Sequence, residues 1–375
     1  MTELSIIGLM SGTSADGIDA SILLTDGRTM TRTGCSGHFD YRPETRQAIR
    51  ACCADPAVFL ADLAARASLD RAIAVDHAAA VQGLCANFDG SVDLIGFHGQ
   101  TVYHNASSDM QHPLGRQTIQ LGDAHYLAAA SSIDVVHNVR QADMDQGGEG
   151  APLAPVYHAA VVDAMQNLRP TVLVNIGGVA NLTCVSAADG TGLIGFDTGP
   201  GNALLDDFMM SRFTVDCDRD GALAATGSAD QTLLSRWMQH PYFQQKWPKS
   251  LDRQDFASLL TTAEFRSLAD ANAAATLTCF TAQTIAHAIG KLPVTPQSVF
   301  VAGGGRRNNT MMRHLASILP MPVITDPGDG FDADMLEAEL MAFLAARCHY
   351  RLPTSFPGTT GCRQPVSGGE IARAR

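Results

Sequence analysis

The chain of 375 residues is long enough for two domains, and its 46% hydrophobic and 17% charged residues are typical of a folded globular protein. A formal charge of −12 and the lack of a basic stripe exclude a nucleic-acid backbone as an expected partner. No apolar run approaches the ~20 residues of a membrane span, so no membrane association is predicted.

The nine cysteines are odd in number, have no regular spacing and include no Cys-x-x-Cys pair. This pattern argues against both a disulfide framework and a zinc ribbon. His98 and His104 do not have the spacing of a His-x-x-x-His metal site, so no protein-built metal site is predicted. Without a basic, apolar leader at the N-terminus, we expect a cytoplasmic protein.

The first half of the chain begins with clustered strands and continues into helices. Apolar runs on either side of a glycine-containing turn predict a hairpin, and an alanine-rich amphipathic stretch predicts helices before three further short strands. The predicted strands cover 5–10, 18–24, 92–97, 118–121 and 133–136, and the predicted helices lie within 57–85.

The second half repeats this order. Strands are predicted over 171–176, 181–185, 193–196 and 298–302, and helices over 203–213, 271–289, 308–319 and 333–347. Two α/β domains with a cleft between them follow from this doubled order. The glycines and prolines of 140–155 favour a boundary there, which gives domains over 1–140 and 141–375, and the stretch 353–375 is expected to be an irregular tail.

The first loop that could bind a ligand covers 8–19. It contains the residues Gly12, Thr13, Ser14, Ala15, Asp16, Gly17, Ile18 and Asp19. Small residues expose consecutive N–H groups and hydroxyls that suit phosphate oxygens. No lysine follows the glycine and a strand follows the loop, so this is not a Walker A motif. An ordinary hairpin turn is the alternative interpretation.

Three more glycine-rich turns follow predicted strands. Gly177 and Gly178 form a possible phosphate-facing turn, and Gly303 and Gly304, ahead of Asn308, leave room for a base or ribose. Asp197 stands at a strand end beside two glycines, where a carboxylate can act as a base on water or can simply cap a turn. Glycine turns at successive strand ends would line one crevice, the usual ligand position in open α/β sheets.

Polar side chains elsewhere suggest contacts to a hydroxylated ligand. His98 and Gln100 follow a strand, and their imidazole and amide groups could bind a hydroxylated ligand. Arg140 and Asp143 precede a glycine-proline stretch, and they form either a sugar-contacting surface or an ordinary surface ion pair. Glu337 is either a ligand contact or a solvated carboxylate on a helix face.

Together these motifs, in this order, resemble the motif series of the anhydro-N-acetylmuramic acid kinase family. The resemblance rests on stretches spread over nearly the whole chain: 12–19, 98–101, 147–153, 175–178, 197–202, 218–221, 248–250 and 303–305 with Asn308.

The resemblance implies the two-domain α/β fold of actin, hexokinase and Hsp70 (ribonuclease H-like), with ATP in the cleft and Mg²⁺ carried largely by its phosphates. It implies hydrolysis of the 1,6-anhydro bridge of the sugar with phosphorylation of O6, in peptidoglycan recycling, by a homodimer. Asp197 matches the family's general base. Arg140, Asp143 and Glu337 match positions near the sugar.

Two positions depart from the family's pattern. Ala15 replaces a common leucine, and Asn138 stands where the family usually has Asp, which removes a charge but keeps a hydrogen-bonding group. Two alternatives stay open at this point: another sugar or acetate-type phosphotransferase or phosphatase of this fold, and a non-enzymatic nucleotide-gated protein of the actin type.

Overall fold

The computed structural model describes residues 1–12, 15–106, 113–165, 169–187, 192–326 and 332–374. Its strands are β1 Leu4–Ser11, β2 Gly17–Thr25, β3 Met30–Asp40, β4 Leu94–Asn105, β5 Gln117–Leu121, β6 Val135–His137, β7 Thr171–Ile176, β8 Val179–Val185, β9 Leu193–Pro200, β10 Ser298–Ala302, β11 Val323–Ile324 and β12 Glu370–Ala372.

The α-helices are α1 Pro43–Ala54, α2 Pro56–Ala61, α3 Leu63–Cys85, α4 Ala124–Ser131, α5 Gln141–Asp145, α6 Pro155–Ala164, α7 Ala203–Phe213, α8 Gln231–Trp237, α9 Ala263–Arg266, α10 Asp270–Gly290, α11 Asn309–Ile318, α12 Leu336–His349 and α13 Pro357–Thr360. Single 3-10 turns cover Arg219–Gly221, Ala224–Thr226, Pro241–Gln244, Ala257–Thr261 and Gly304–Arg307.

Several helices begin where an acidic or amide side chain satisfies free backbone N–H groups. Asp55, Asp62, Asp123 and Asp230 accept hydrogen bonds from the first turns of α2, α3, α4 and α8. Asn308 does the same for α11, through a 2.9 Å bond from the N–H of Met311. Such N-caps fix the helix starts because the first N–H groups of a helix have no partner within it.

The chain forms two compact units, each built around its own mixed sheet. Unit 1 comprises Met1–Ala164 with Met335–Arg375, and unit 2 comprises Met165–Asp334. The strand order β3-β2-β1-β4-β6 in unit 1 corresponds to β9-β8-β7-β10-β11 in unit 2. In both, the first three strands pair antiparallel and the last two join in parallel. The two-domain α/β fold class predicted from the sequence is confirmed.

The observed division differs from the predicted boundary at 140/141. Helix α12 belongs to unit 1 because it lies directly on the neighbouring strands β1 and β4, where Gly8 and Gly96 are paired in register. A Cβ atom on Gly8 would collide with the carbonyl oxygen of Ala338, and one on Gly96 would collide with that of Met341. Glycine is therefore required at both positions for this close helix–sheet contact.

The expectation of an irregular tail over 353–375 is also corrected. Helix α13 lies in this stretch, and β12 pairs antiparallel with β6 at the edge of the unit 1 sheet. β12 has only three residues, too few to show strand periodicity in the sequence.

Unit 1 has an apolar core between its sheet and helices α1–α4, which includes Ile7, Ile18, Ile73 and Phe97. Unit 2 has two core clusters: one lies around β7–β10, and the other contains Phe243, Phe256 and Phe280. No helix in the described part of the chain is both long and apolar enough to cross a membrane.

Candidate functional site

In unit 1 the predicted phosphate loop connects β1 to β2. The carbonyl oxygen of Gly12 accepts hydrogen bonds from Nε2 of Gln100 at 3.0 Å and from the N–H of Ala15 at 3.1 Å. Ala15 is buried and has a φ of 52°, the left-handed conformation. Gly12 is therefore anchored to both Ala15 and β4; Thr13 and Ser14 lie outside the described residues.

The second part of the predicted loop lies in β2 rather than in a turn. Gly17 packs so closely against His38 that a side chain there would collide with the imidazole, and Ile18 is fully buried in the core. Oδ1 of Asp19 lies 2.8 Å from Nδ1 of His38, and the exposed Asp16 accepts a bond from Arg46 through its carbonyl oxygen. Because the side chain of Ile18 is buried, only its backbone could contact a nucleotide, and the nucleotide contact expected for this stretch stays a prediction.

Gln100 is an anchor of the Gly12 turn rather than an open ligand contact. Its side chain is fully buried, its Oε1 accepts from Ser11 Oγ at 2.6 Å, and its Nε2 also donates to the carbonyl oxygen of Thr101 at 3.3 Å. The polar atoms of this amide are engaged in holding β1, β4 and the turn together. The expected sugar contact through Gln100 is not supported by this geometry.

His98 is likewise buried and engaged at both ring nitrogens. Nδ1 lies 2.8 Å from the carbonyl oxygen of Gly99, and Nε2 lies 3.1 Å from Nη2 of Arg140. Burial lowers the pKa of His98 to about 3, and the Arg140 charge acts in the same direction. The imidazole is therefore neutral at physiological pH and contacts Arg140 instead of presenting a free nitrogen to a sugar.

Arg140 lies between this histidine and the glycine-proline stretch. Its Nη1 donates to the carbonyl oxygen of Gly150 at 2.8 Å. Burial lowers the pKa of the guanidinium, and the carboxylates of Glu337 and Asp143 act in the opposite direction. Glu337 is exposed in the first turn of α12. Arg140 and Glu337 are thus an opposite-charge pair of residues within one region of unit 1.

Asp143 is a buried structural acceptor, only 1% exposed. Its carboxylate accepts from the Gly150 N–H at 2.7 Å, from Thr360 Oγ1 at 2.6 Å and from the hydroxyl of Ser355. These bonds connect the glycine-proline stretch to α13 and its flank. Asp143 therefore holds this loop, and the sugar contact expected from the sequence stays a prediction.

In unit 2 three glycine-rich turns converge, as the sequence predicts. The carbonyl oxygens of Gly177 and Gly178 accept from the N–H groups of Asn202 at 2.7 Å and Gly201 at 2.9 Å. A side chain on Gly303, which has a φ of 76°, would collide with the carboxamide of Asn175. Only glycine fits this close approach of the three turns.

Asn308, predicted to contact nucleotide, is the buried N-cap of α11 described above. A cavity of about 640 Å³ is lined by Arg306. Arg306 donates to the carbonyl oxygen of Gly303 at 3.1 Å, which places the cavity beside the Gly303–Gly305 turn. Asp220, Thr310 and Arg313 line the same cavity.

Asp197 lies on β9, in register with Asn181 of β8, which is itself paired with Asn175 of β7. Directly opposite residues of antiparallel strands share a face of the sheet, so these three polar side chains form a row beside the glycine turns. Oδ2 of Asp197 accepts from the N–H of Leu251 at 2.8 Å. The carboxylate is held in one orientation within β9, which continues to Pro200 and so extends beyond the strand end predicted from the sequence.

Lys249 is a neighbour of Asp197 that the sequence analysis did not assign to the site. The Asp197 N–H donates to the Lys249 carbonyl oxygen at 3.1 Å, and the two side chains interact electrostatically. The motif 248–250 is recognisable in the sequence, but a separation of 52 positions gives no signal that it lies against β9. No group of three or more His, Cys, Asp or Glu side chains suited to a metal is found within the described ranges.

The doubled strand order defines a two-domain α/β protein, and unit 2 carries a carboxylate beside converging glycine turns. A family model described as anhydro-N-acetylmuramic acid kinase matches residues 4–374. The chain belongs to this family.

Curated proteins named anhydro-N-acetylmuramic acid kinase are similar over their whole length. The relative from Rhodopseudomonas palustris (strain HaA2) is 45% identical over 378 residues, covering 99% of both chains. The relative from Acidiphilium cryptum (strain JF-5) is 44% identical over 369 residues, covering 98% of both. Among solved structures, the activator of 2-hydroxyisocaproyl-CoA dehydratase from Clostridium difficile, with bound ADPNP, overlaps 93% of this chain and 97% of its own at a TM-score of 0.43 and 12% identity.

Proposed function

We propose that the protein uses ATP to open and phosphorylate 1,6-anhydro-N-acetylmuramic acid, giving N-acetylmuramic acid 6-phosphate and ADP. This sugar derives from peptidoglycan, so the reaction belongs to cell-wall recycling. The observation that carries the proposal is the oriented Asp197 carboxylate beside three converging glycine turns, in a chain whose residues 4–374 match the family.

Asp197 is proposed as the general base. Its carboxylate takes a proton from the water that attacks the anomeric carbon C1, the C1–O6 bond breaks, and the electron pair left on O6 attacks the γ-phosphorus of ATP as ADP leaves. Because O6 is captured by phosphorus, no second carboxylic acid is needed to protonate it, unlike in an ordinary glycosidase. One carboxylate therefore suffices.

For the sugar, we propose Arg140 and Glu337 as the contacting residues, with His98, Gln100 and Asp143 as residues that hold them or the neighbouring turns. The hydrogen bonds already made by the buried side chains of these three support the division. Arg140 supplies positive charge and several donors, which suits an acidic, hydroxylated sugar.

For the nucleotide, we propose the Gly12–Asp19 loop and the turns at Gly177–Gly178 and Gly303–Gly304 as the phosphate-contacting backbone. The cavity lined by Arg306 and Arg313 suits the nucleoside part. Mg²⁺ is usually bound by one or two carboxylates together with phosphate oxygens, so a cluster of protein ligands is not required. When bound, it would neutralise charge on the transferring phosphoryl group.

The test is mass spectrometry of the product formed in oxygen-18 water. We expect one heavy oxygen at C1 and a phosphoryl group on O6 of the same molecule. A phosphorylated sugar that retains the anhydro bridge, or an opened sugar without phosphate, would refute the proposed reaction.

ADP release with the anhydro sugar, glucose, acetate or no acceptor separates the alternatives. Stimulation only by glucose or acetate would indicate a different phosphotransferase, and nucleotide binding without acceptor-dependent turnover would indicate an actin-type protein. The homodimer and the cytoplasmic location stay predictions, and light scattering on the purified protein tests the first.

A further inference from the structure

A segment far along the chain holds both the backbone and the carboxylate of Asp197. Tyr242 Oη donates to the Asp197 carbonyl oxygen at 2.6 Å, the Asp197 N–H donates to the Lys249 carbonyl oxygen at 3.1 Å, and the Leu251 N–H donates to Oδ2 at 2.8 Å. These three bonds come from positions 45 to 54 residues away. The segment 242–251 therefore acts as a clamp on this one residue of β9.

The side chain of Lys249 closes the clamp. Its Nζ donates to the Tyr242 carbonyl oxygen at 3.0 Å and lies 4.1 Å from the centroid of the Tyr242 ring. The ring of Phe196, next to Asp197, is 5.6 Å from the same Nζ and stacks on Trp247. A cation at this distance from an aromatic face is attracted to it, so the ammonium holds the two ends of the segment together.

The charge on Lys249 responds to its surroundings. The groups that face it are the Asp197 carboxylate on β9, His287 on α10, Lys291 directly after α10, and the phenol of Tyr242. Partial burial, followed by the Lys291 charge, lowers the pKa of Lys249 to about 8, while Asp197 acts in the opposite direction. The ammonium therefore loses its proton within the range in which an enzyme can be assayed.

We propose that Lys249 is a positioning residue for the Asp197 carboxylate, and that its positive charge keeps this base oriented and ionised for proton abstraction. The inference rests on the proposed function, because it takes Asp197 as the base. A nearby cation favours the carboxylate form, and the contacts of Nζ to Tyr242 stabilise the donor that holds the Asp197 backbone. When the ammonium is neutralised, both effects are lost together.

The experiment measures kcat with both substrates saturating, from about pH 6 to about pH 10, for wild type and variants. Wild-type kcat is expected to fall above about pH 8, where Lys249 loses its charge. Lys249→Arg keeps the positive charge at higher pH, so the decrease in its kcat is expected to begin at least about 1 pH unit above that of wild type. Lys249→Gln is expected to lower kcat by about 30-fold at neutral pH and to show no further decrease in kcat at alkaline pH. Its KM for ATP is expected to stay within about 2-fold of the wild-type value.

Lys291→Arg is the matched control. Nζ of Lys291 donates to the Phe243 carbonyl oxygen at 2.6 Å and to Gln244 Oε1 at 3.0 Å, so it contacts the segment 242–251 at residues that make none of the three bonds to Asp197. Its pH profile is expected to match wild type. Tyr242→Phe removes the hydroxyl that donates to the Asp197 carbonyl oxygen and is expected to lower kcat by about 5-fold, which tests the clamp even where Lys249→Gln does not fold.

A pH profile of Lys249→Arg identical to wild type, or undiminished turnover in both Lys249→Gln and Tyr242→Phe, would overturn the inference. Asp197→Asn separates this failure from that of the proposed function. If Asp197→Asn is inactive while Lys249→Arg leaves the profile unmoved, only the role of Lys249 is wrong. If Asp197→Asn turns over normally, the assignment of the base is wrong as well.

Discussion

Nε2 of His98 accepts a hydrogen bond from Nη2 of Arg140 at 3.1 Å, because Nδ1 of the same ring carries its proton toward the Gly99 carbonyl oxygen at 2.8 Å. One tautomer satisfies both contacts, and the pKa of about 3 keeps the ring neutral. His98 is thus suited to aim the guanidinium and is not suited to act as an acid at neutral pH.

Replacing His98 therefore tests an effect transmitted through Arg140. His98→Leu is expected to raise the KM for the sugar about 10-fold with little change in the KM for ATP, and His98→Gln, which restores an acceptor, is expected to recover part of the loss. In an Arg140→Lys background the His98→Leu effect should largely disappear. Equal effects of His98→Leu in both backgrounds would contradict this coupling, and steady-state kinetics with each substrate varied provides the measurement.

Asp197→Asn is expected to cut turnover by at least about 100-fold and to leave nucleotide affinity near normal, because an amide cannot take the proton of the attacking water. Asn retains an acceptor for the Leu251 N–H, so the fold around β9 should persist. Calorimetric titration with ATP checks binding, and ADP release checks turnover. Turnover near the wild-type level would remove Asp197 from the role of base.

Asp143→Ala is expected to lower the free energy of unfolding by about 3 kcal/mol, since it leaves the Gly150 N–H and the hydroxyls of Ser355 and Thr360 without their buried acceptor. Asp145→Ala, at an exposed position two residues further on, is the matched control and should change stability by less than about 0.5 kcal/mol. Urea unfolding monitored by circular dichroism measures both. Similar midpoints for the two variants would argue against the role of Asp143 as a structural acceptor.

Acid should destabilise unit 1 through its buried histidines. Burial lowers the pKa of His77 to about 4, of His98 to about 3, and of His158 to about 4, all below the value of 6.5 for a free side chain. The unfolded chain binds protons first, so stability is complete above about pH 6.5 and falls as pH decreases toward 4, by about 1.4 kcal/mol per pH unit for each histidine.

Urea midpoints measured between about pH 7.5 and about pH 5 check this dependence. His77→Phe removes one of the titrating groups and should make the dependence shallower. A stability that is flat over this range would contradict the predicted protonation states.

Much of the secondary structure could be predicted from local patterns. The strand over 171–176 and the helix over 203–213 coincide with β7 and α7. The first is an apolar segment between Pro170 and Gly177, and the second is an amphipathic segment that follows Gly201. β3 was missed because Met30–Asp40 is largely polar and borders solvent on one face. Helix α1 was missed as well, since its apolar face is reduced to Ile49 and Cys52.

The site could be predicted only in part. The three glycine turns of unit 2 were expected to lie together because each follows a strand, and they contact one another in the structure. The ligand crevice expected along them stays a prediction. The sequence could not show that the side chains of Gln100 and Asp143 form hydrogen bonds within the protein. Their partners are brought close only by tertiary packing: Ser11 for Gln100, and Gly150 and Thr360 for Asp143. For the same reason, the contacts of Tyr242 and Lys249 with Asp197 had no local signal.

The seating of α12 on Gly8 and Gly96 has a consequence for synthesis on the ribosome. Unit 2 is continuous in sequence, so all of its residues leave the exit tunnel in one stretch. Unit 1 is discontinuous, so its first 164 residues cannot complete their fold until Met335–Arg375 has been translated. During that interval the strand faces around Gly8 and Gly96 lack their helix. We expect nascent chains that stop before residue 335 to be bound by chaperones through this uncovered surface.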